Sequence, residues 1–183
     1  MTEHLVFFLE EPSAQDFLEI LLPRVLPSHI TAHFVVFQGK QDLEKRLVKK
    51  LSYWLLPNSQ FIVMRDQDSG DCKVIKANLK QLCINANKPS AIVRIVCKEL
   101  ETFFVGDWAA IANAYANEKW RANSRTAKYR NPDLLGSPST EIRRFIPNYQ
   151  KRSGARKISP HLDLGNNSSK SFQALMQSIK SIS

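Results

Sequence analysis

The stretch FIVMRDQDSGDC, residues 61–72, decides the fold because an apolar run ends abruptly in an acidic turn. Residues 61–64 suit a buried strand, and Asp66, Asp68 and Asp71 follow within a few positions. Carboxylates this close repel one another unless solvent separates them or a cation lies among them. The stretch therefore predicts either a solvated turn that caps the next helix or an acidic metal site.

Strand-like and helix-like segments alternate on both sides of this stretch. Strands are predicted at 4–10, 29–38 and 61–64, and a fourth opens the segment 91–104, which turns helical near Glu99. Amphipathic helices are predicted after Pro12, across 41–56 and across 73–86. This order predicts an α/β fold with a parallel four-stranded sheet flanked by helices. The functional crevice of such a sheet lies at the carboxyl ends of its strands.

The charge divides the chain into a core, 1–118, and a basic extension, 119–183. The core carries 13 Lys and Arg against 14 Asp and Glu, whereas the extension carries 13 against 3. An apolar face on the last helix, which Ser169 or Ser171 can cap, predicts that this mainly helical extension packs on the core within one compact unit. Its positive charge points to a polyanionic partner, most simply nucleic acid, and the alternative is a solvated tail that aids solubility.

The composition excludes several classes of protein. Hydrophobic residues make up 43% and charged residues 23%, which is typical of globular proteins. The apolar runs are too short to span a bilayer, and no cleavable signal is visible. Cys72, Cys83 and Cys97 form no CxxC pair, so neither a zinc site nor a disulfide framework is expected. We expect a cytoplasmic protein with reduced thiols, without membrane contact.

Carboxylates follow three of the four predicted strands. Glu10 ends the first, Asp66 and Asp68 follow the third, and Glu99 and Glu101 follow the fourth. In an extended backbone, Asp66 and Asp68 lie on one face and can reach the same ion, which Glu10 can also reach. Oxygen ligands of this kind suit Mg²⁺ or Mn²⁺, and Glu99 or Glu101 could hold a second ion.

A simpler interpretation of the acidic turn stays open. Asp68-Ser69-Gly70 is a common turn sequence, and Asp71 is placed to cap the helix that follows. A lone DxD motif is weak evidence for a metal, and the acids of the neighbouring strand ends are what favour the metal site.

Two motifs resemble those of the Toprim family. LEEPSAQDFL (9–18) is similar to its first motif, a strand that ends in Glu, and RDQDSGD (65–71) is similar to its DxD motif. A closer resemblance, over nearly the whole chain, is to a bacterial Toprim-like family of unknown function. That resemblance rests on five segments: LEEPS (9–13), QGKQDL (38–43), RDQDSGDC (65–72), RIVCKELETFFVGDW (94–108) and PHLDLGNNSSKSF (160–172).

The resemblance implies roles for individual residues. Glu10 matches the Toprim glutamate, a metal ligand or general base, and Asp66 and Asp68 match the metal-binding aspartates. Glu101, with Glu99, matches the ELE element near a second metal in the nucleases of the overcoming-lysogenization-defect type. Those nucleases also use a lysine near the cleaved phosphate.

The candidates here for that lysine are Lys151 and Lys157. The pattern departs from the Toprim motifs at Glu11, where Gly is usual, and at Gly70, where a third Asp would fall.

The sequence thus predicts a Mg²⁺- or Mn²⁺-dependent nuclease acting on DNA or RNA. Kinship with the defence nucleases implies an ABC- or AAA-type ATPase partner and a role as effector in phage defence. A non-catalytic nucleic-acid or protein-binding module and a small-molecule phosphohydrolase remain as alternatives, and a homodimer remains open. The basic residues expected to hold the polyanion are Arg143, Arg144, Lys151, Arg152, Arg156 and Lys157.

Overall fold

Four parallel strands form the centre of the protein, which a computed structural model describes over residues 2–182. The strands are β1 (His4–Leu9), β2 (Thr31–Val36), β3 (Ser59–Asp66) and β4 (Ile92–Val96), in the spatial order β2-β1-β3-β4. The helices are α1 (Pro12–Leu21), α2 (Lys40–Ser52), α3 (Cys72–Asn85), α4 (Glu101–Val105), α5 (Trp108–Ala114), α6 (Pro138–Arg143), α7 (Lys151–Ile158) and α8 (Lys170–Ile182). The predicted α/β fold with a parallel four-stranded sheet is confirmed.

The central strand β1 explains why its sequence is a continuous apolar run. Leu5, Phe7 and Leu9 face one side of the sheet, Val6 and Phe8 face the other, and all five are fully buried. Side chains alternate across a strand, so a strand covered on both faces needs apolar residues at every position. Apolar runs of this kind serve the core of the sheet. Within residues 2–182, no helix is long and apolar enough to cross a membrane.

Two helical layers cover the sheet. One layer is formed by α2 and α3, whose inward residues include Leu47 and Leu79. The other contains α1, α4 and α5 together with the helices of the basic extension. Phe172 of α8 is fully buried, with its ring centroid 6.4 Å from that of Phe17 and 5.3 Å from that of Phe103. The extension therefore packs on the core, 1–118, and shares its hydrophobic interior, as its apolar face predicts.

Element ends differ from the sequence prediction by a few residues. β3 runs two residues further at each end than 61–64, so Asp66 is its last residue. The helix expected across 41–56 ends at Ser52. Asp71 caps α3 by accepting hydrogen bonds from the backbone N of Lys73 and of Val74, at 2.8 and 3.1 Å. The predicted cap is confirmed.

The segment around Gly106 is fastened to the loop before α8. Asp107 Oδ2 accepts a hydrogen bond of 2.7 Å from the backbone N of Asp163, and the Asn167 side chain donates one of 2.8 Å to the Phe103 carbonyl. A Cβ at position 106 would come within 2.1 Å of Asn167 Oδ1, so only Gly fits. The GDW and PHLDL motifs therefore form one structural unit.

Candidate functional site

The first strand and the third place two carboxylates side by side. Leu9 pairs with Met64 in the parallel ladder, so Glu10 lies beside the end of β3. The backbone N of Asp66 donates a hydrogen bond of 3.1 Å to Oε2 of Glu10. The two acids meet at the carboxyl edge of the sheet, where the sequence predicted them.

Asp66 is buried, with 7% of its surface exposed, and no cation forms an ion pair with it within residues 2–182. Burial raises the pKa of Asp66 well above its ordinary value, repulsion from Glu11 adds to the rise, and attraction from Lys151 opposes it. One hydrogen bond supports the carboxylate, from the backbone N of Leu100 to Oδ2 at 3.3 Å. A buried acid perturbed in this way is typical of functional sites.

Glu10 is held between opposing influences. Burial raises its pKa first, the hydrogen bond from the Asp66 backbone lowers it, and repulsion from Asp68 raises it further. Arg65 Nε lies 3.8 Å from Glu10 Oε2, while Arg65 Nη1 pairs with Glu44 on α2. The net shift of the pKa of Glu10 is upward.

Glu101 is fully buried at the start of α4. The Tyr149 hydroxyl donates a hydrogen bond of 3.0 Å to Oε1 of Glu101, whereas the buried Oε2 has no hydrogen-bond partner among the described residues. Burial raises the pKa of Glu101, and burial together with the negative charge of Glu101 raises that of Tyr149. Position 154 faces the Tyr149 ring, and a Cβ on Gly154 would come within 2.1 Å of it.

Lys151, the first residue of α7, adds a positive charge from the extension to the site. Its Nζ lies 3.4 Å from Glu11 Oε1 and 3.9 Å from Glu99 Oε2. Burial favours the neutral amine, but Glu101, Glu11, Asp66 and Glu99 together outweigh it and raise the pKa of Lys151. The extension thus contributes an ammonium group to the carboxyl edge of the sheet. We call this part of the core the acidic edge and define it by its carboxylates: Glu10, Glu11, Asp66, Glu99 and Glu101.

Glu99 is committed to the extension. Its Oε1 accepts hydrogen bonds from the Ser137 hydroxyl at 3.1 Å and from the backbone N and hydroxyl of Ser139 at 3.0 and 2.9 Å. These bonds leave Oε2 as the atom of Glu99 that faces Lys151.

Asp68 does not lie on an extended backbone with Asp66, as the DxD spacing had suggested. Its φ is +53°, in the left-handed region, because the chain turns immediately after β3. Asp68 Oδ2 instead pairs with Nζ of Lys40, the first residue of α2, at 2.8 Å, and both side chains are largely exposed. Lys40, which lies in the QGKQDL segment, therefore stands beside the DxD motif.

The donor atoms of the edge suit a hard divalent cation, although they do not form a finished cage. Glu10 and Asp66 offer carboxylate oxygens, and the Glu101 Oε2 atom is buried without a partner. Within residues 2–182, no three Asp, Glu, His or Cys side chains are arranged as a ready-made metal site. A cation held here would be bound first by Glu10 and Asp66, and it would offset the burial and the repulsion that raise their pKa values.

Most of the basic residues expected to hold a polyanion have intramolecular partners. Arg152 and Arg156 both pair with the buried Asp16, at 2.7 and 2.8 Å. Lys157 Nζ lies 4.2 Å from the centroid of the Tyr115 ring.

The two arginines of the set that remain, Arg143 and Arg144, differ in whether they have an ion-pair partner among the described residues. Arg144 Nη1 lies 3.6 Å from Glu141, whereas Arg143 is exposed at the end of α6. Lys151 is therefore the one member of this basic set that reaches the acidic edge within the part of the chain that the structure describes.

Besides Lys40, three participants were not chosen as site residues from the sequence: Glu11, Arg65 and Tyr149. Glu11 and Arg65 adjoin Glu10 and Asp66 in the chain, and that adjacency was the available signal. Tyr149 carries no such signal, because only the packing of the extension brings it to Glu101.

Comparison with known proteins identifies the family. The family model described as a domain of unknown function, DUF4276, matches residues 9–180 and so includes every residue of the acidic edge. No curated protein and no solved structure is similar enough to the chain to count as a match. The chain belongs to the DUF4276 family, whose function is not known.

Proposed function

We propose that the protein is a Mg²⁺- or Mn²⁺-dependent nuclease that hydrolyses phosphodiester bonds at the carboxyl edge of the sheet. One observation carries the proposal: Glu10 and Asp66 meet there in front of the buried Glu101, and Lys151 pairs with the neighbouring Glu11 and Glu99. Burial raises the pKa of Glu10, Asp66 and Glu101. Burial and mutual repulsion disfavour the charged form of these acids at neutral pH. A bound cation stabilises that charged form, so such a cluster favours cation binding.

The residues of the edge divide the work. Glu10 and Asp66 hold the cation, and the buried Glu101 shapes the negative potential behind them. A bound divalent cation supplies charge neutralisation for the phosphate and activation of water. Lys151 is placed to attract the non-bridging oxygens of the phosphodiester, because its pKa keeps it charged. Glu99 and Glu11 position that lysine through their ion pairs.

Cleavage of a supercoiled plasmid and of a labelled single-stranded RNA, each with Mn²⁺ and with EDTA, tests the proposal. Nicking by the wild type in Mn²⁺, lost in Glu10→Gln and in Asp66→Asn, is the expected result. Asp42→Asn is the matched control, since Asp42 is an acid on α2 whose partner is Arg46. Equal cleavage by the wild type and both edge variants would contradict the proposal.

A non-catalytic binding module is the second candidate, and the ion pairs of the edge favour it. Lys151 already lies between Glu11 and Glu99, and Lys40 already neutralises Asp68. In a module of this kind the lysines take the place of metal ions. Its signature would be salt-dependent binding to nucleic acid in EDTA, with no cleavage in Mn²⁺. Cleavage of small phosphate esters but not of polymers would indicate the third function, a phosphohydrolase.

An ATPase partner, a role in phage defence and a cytoplasmic location stay predictions that rest on kinship and composition. Copurification of the chain with the product of a neighbouring ATPase gene is the measurement that tests the first of them.

A further inference from the structure

A second charged feature lies along the free edge of β4, outside the acidic edge. Two adjoining cavities, of about 510 and 320 Å³, share Lys73, Lys76, Val93 and Arg94 in their linings. Together they form one groove between α3, β4 and the start of α8. We call it the β4 groove and define it by its charged residues: Lys73, Lys76, Lys80, Arg94 and Lys170.

The lining of the β4 groove carries only one sign of charge. Neither cavity has an Asp or Glu in its lining, and the floor is formed by small apolar residues such as Ala77 and Val93. Asp133 borders the groove, but its carboxylate accepts hydrogen bonds from the backbone N atoms of Lys170 and Ser171 at 2.8 and 3.0 Å. The groove is thus a concentrated cationic surface, and all of its charged residues except Lys170 belong to the core, 1–118, whose overall charge is nearly balanced.

Arg94 is the most informative residue of the groove. Its guanidinium is partly buried, and burial lowers its pKa. Its Nε donates to Ser178 Oγ at 2.6 Å and to the Ala174 carbonyl at 3.2 Å, both neutral acceptors. No carboxylate forms an ion pair with it within residues 2–182. A partly desolvated cation without a counter-charge attracts an external anion.

The lysines of α3 form a row. Lys73, Lys76 and Lys80 follow one another at spacings of three and four residues, so they share one face of the helix. At a rise of about 1.5 Å per residue the row extends for about 10 Å. A row of this length matches several successive phosphates of one strand, since they follow each other at about 3.4 Å along a duplex axis.

An acidic peptide could also be attracted to this edge by adding a strand to β4, but the backbone groups that flank β4 at both ends already have partners. The Ala91 carbonyl accepts a hydrogen bond of 2.8 Å from Lys80 Nζ, and the backbone N of Cys97 donates one of 3.3 Å to Ser171 Oγ. An added strand would have to break these bonds. A phosphate backbone needs only the charges, and those of Lys73, Lys76 and Lys170 remain exposed.

We propose that the β4 groove binds the sugar–phosphate backbone of a nucleic acid strand and leads it towards the acidic edge. Cys97 lines the groove directly after β4, and Glu99 lies two residues further on at the acidic edge. The proposal deepens the proposed function by naming the surface that holds the polymer. It moves the principal polyanion contacts from the arginines of α7, which pair with Asp16, to the free edge of β4.

Fluorescence anisotropy with a short labelled single strand, recorded in EDTA over a series of salt concentrations, tests the proposal. The variant is Lys73→Ala/Lys76→Ala/Lys170→Ala, in which all three side chains are exposed. We expect weaker binding and a salt dependence shallower by about 0.7 per lost phosphate contact. The matched control is Lys45→Ala/Lys49→Ala/Lys50→Ala, which removes the same charge from exposed positions of α2. Circular dichroism melting confirms that both variants fold.

The outcomes separate this proposal from the nuclease. Wild-type binding in EDTA that the groove variant loses and the α2 control retains supports the groove, whether or not cleavage occurs in Mn²⁺. An equal loss in the groove and control variants overturns it, because only net charge would then matter. Unchanged affinity and salt dependence in the groove variant overturn it as well, and so does tighter binding of labelled poly-glutamate than of the oligonucleotide.

Discussion

The Nζ atom of Lys151 lies 3.4 Å from Oε1 of Glu11, and this pair joins the first turn of α7 to the end of β1. The pair links the basic extension to the core at the candidate site. Glu99 and Glu101 act on the same ammonium group, so the single positive charge of Lys151 is shared by several carboxylates.

Replacement of this lysine should destabilise the fold and make it respond to metal. In Lys151→Met, several carboxylates lose their shared cation, and we expect the free energy of unfolding to fall by about 1–3 kcal/mol, less than for a fully buried pair because the side chain is 37% exposed. Mn²⁺ should then raise the melting temperature more in the variant than in the wild type.

Urea unfolding and thermal melting with Mn²⁺ and with EDTA measure both effects. Lys157→Met is the control, because Lys157 contacts the Tyr115 ring and no carboxylate of the edge. A Lys151→Met variant as stable as the wild type, or one whose response to Mn²⁺ is no larger than that of the control, would show that Lys151 does not offset the negative charge of the edge.

Asp66 should make the stability fall as the pH rises. Its pKa in the folded chain lies well above the ordinary 3.8, so between these two values the folded chain holds a proton that the unfolded chain has released. The free energy of unfolding therefore decreases with rising pH in that window, by at most about 1.4 kcal/mol per unit for one group. Asp66→Asn should flatten the profile.

Urea unfolding at a series of pH values above 4.5 tests this expectation. That limit is the ordinary pKa of a Glu. Below it Asp16 has the opposite effect on stability to Asp66, because the pKa of Asp16 is lowered in the folded chain and the stability that Asp16 contributes is lost as the pH falls. Asp42→Asn should keep the wild-type slope, because Asp42 is titrated below this range. Parallel profiles for the wild type and Asp66→Asn would disprove the assignment.

Asp16 should be a structural anchor of the extension. It is 4% exposed and accepts hydrogen bonds from both Arg152 and Arg156. Asp16→Asn leaves the two guanidinium groups without their counter-charge, and we expect a loss of about 2–4 kcal/mol in the free energy of unfolding. Glu19→Gln on the same helix changes an exposed acid whose partner is Gln15, so it should cost little. Equal stability of the two variants in urea would refute the anchor.

Gly106 should tolerate no side chain. In Gly106→Ala the new Cβ would meet Asn167 Oδ1 at 2.1 Å and the backbone N of Ser169 at 3.0 Å. Overpacking of this kind costs about 1–3 kcal/mol, which thermal melting resolves. Gly136→Ala is the matched control, since a Cβ there meets no atom within 4 Å. Melting temperatures lowered equally in both variants would indicate a general loss of backbone freedom instead of the clash.

The sheet and its acidic edge could be predicted because both follow from local patterns. The alternation of strands and helices predicts a parallel sheet. In a parallel sheet the carboxyl ends of all strands lie at one edge, so Glu10 and Asp66 reach that edge whatever the spatial order of the strands. Asp71 could be assigned as a cap because a cap depends on its nearest neighbours alone.

The remaining parts of the site depend on contacts between residues far apart in the chain. Asp68 turns away to Lys40 because β3 ends at Asp66, two residues before the position to which the DxD spacing extends the strand. Tyr149 reaches Glu101 only through the packing of α7, and spacing in the sequence carries no information on that packing. The same reason explains why the arginines of α7 lie on Asp16.

The position of Lys151 late in the chain also sets an order of events during synthesis. All four carboxylates that raise its pKa precede residue 102, so a nascent chain exposes them to one another well before their lysine emerges from the ribosome. Phe172, which packs on Phe17, emerges later still. The acidic edge therefore cannot reach its final arrangement in step with translation, and its closure should be among the last events of folding.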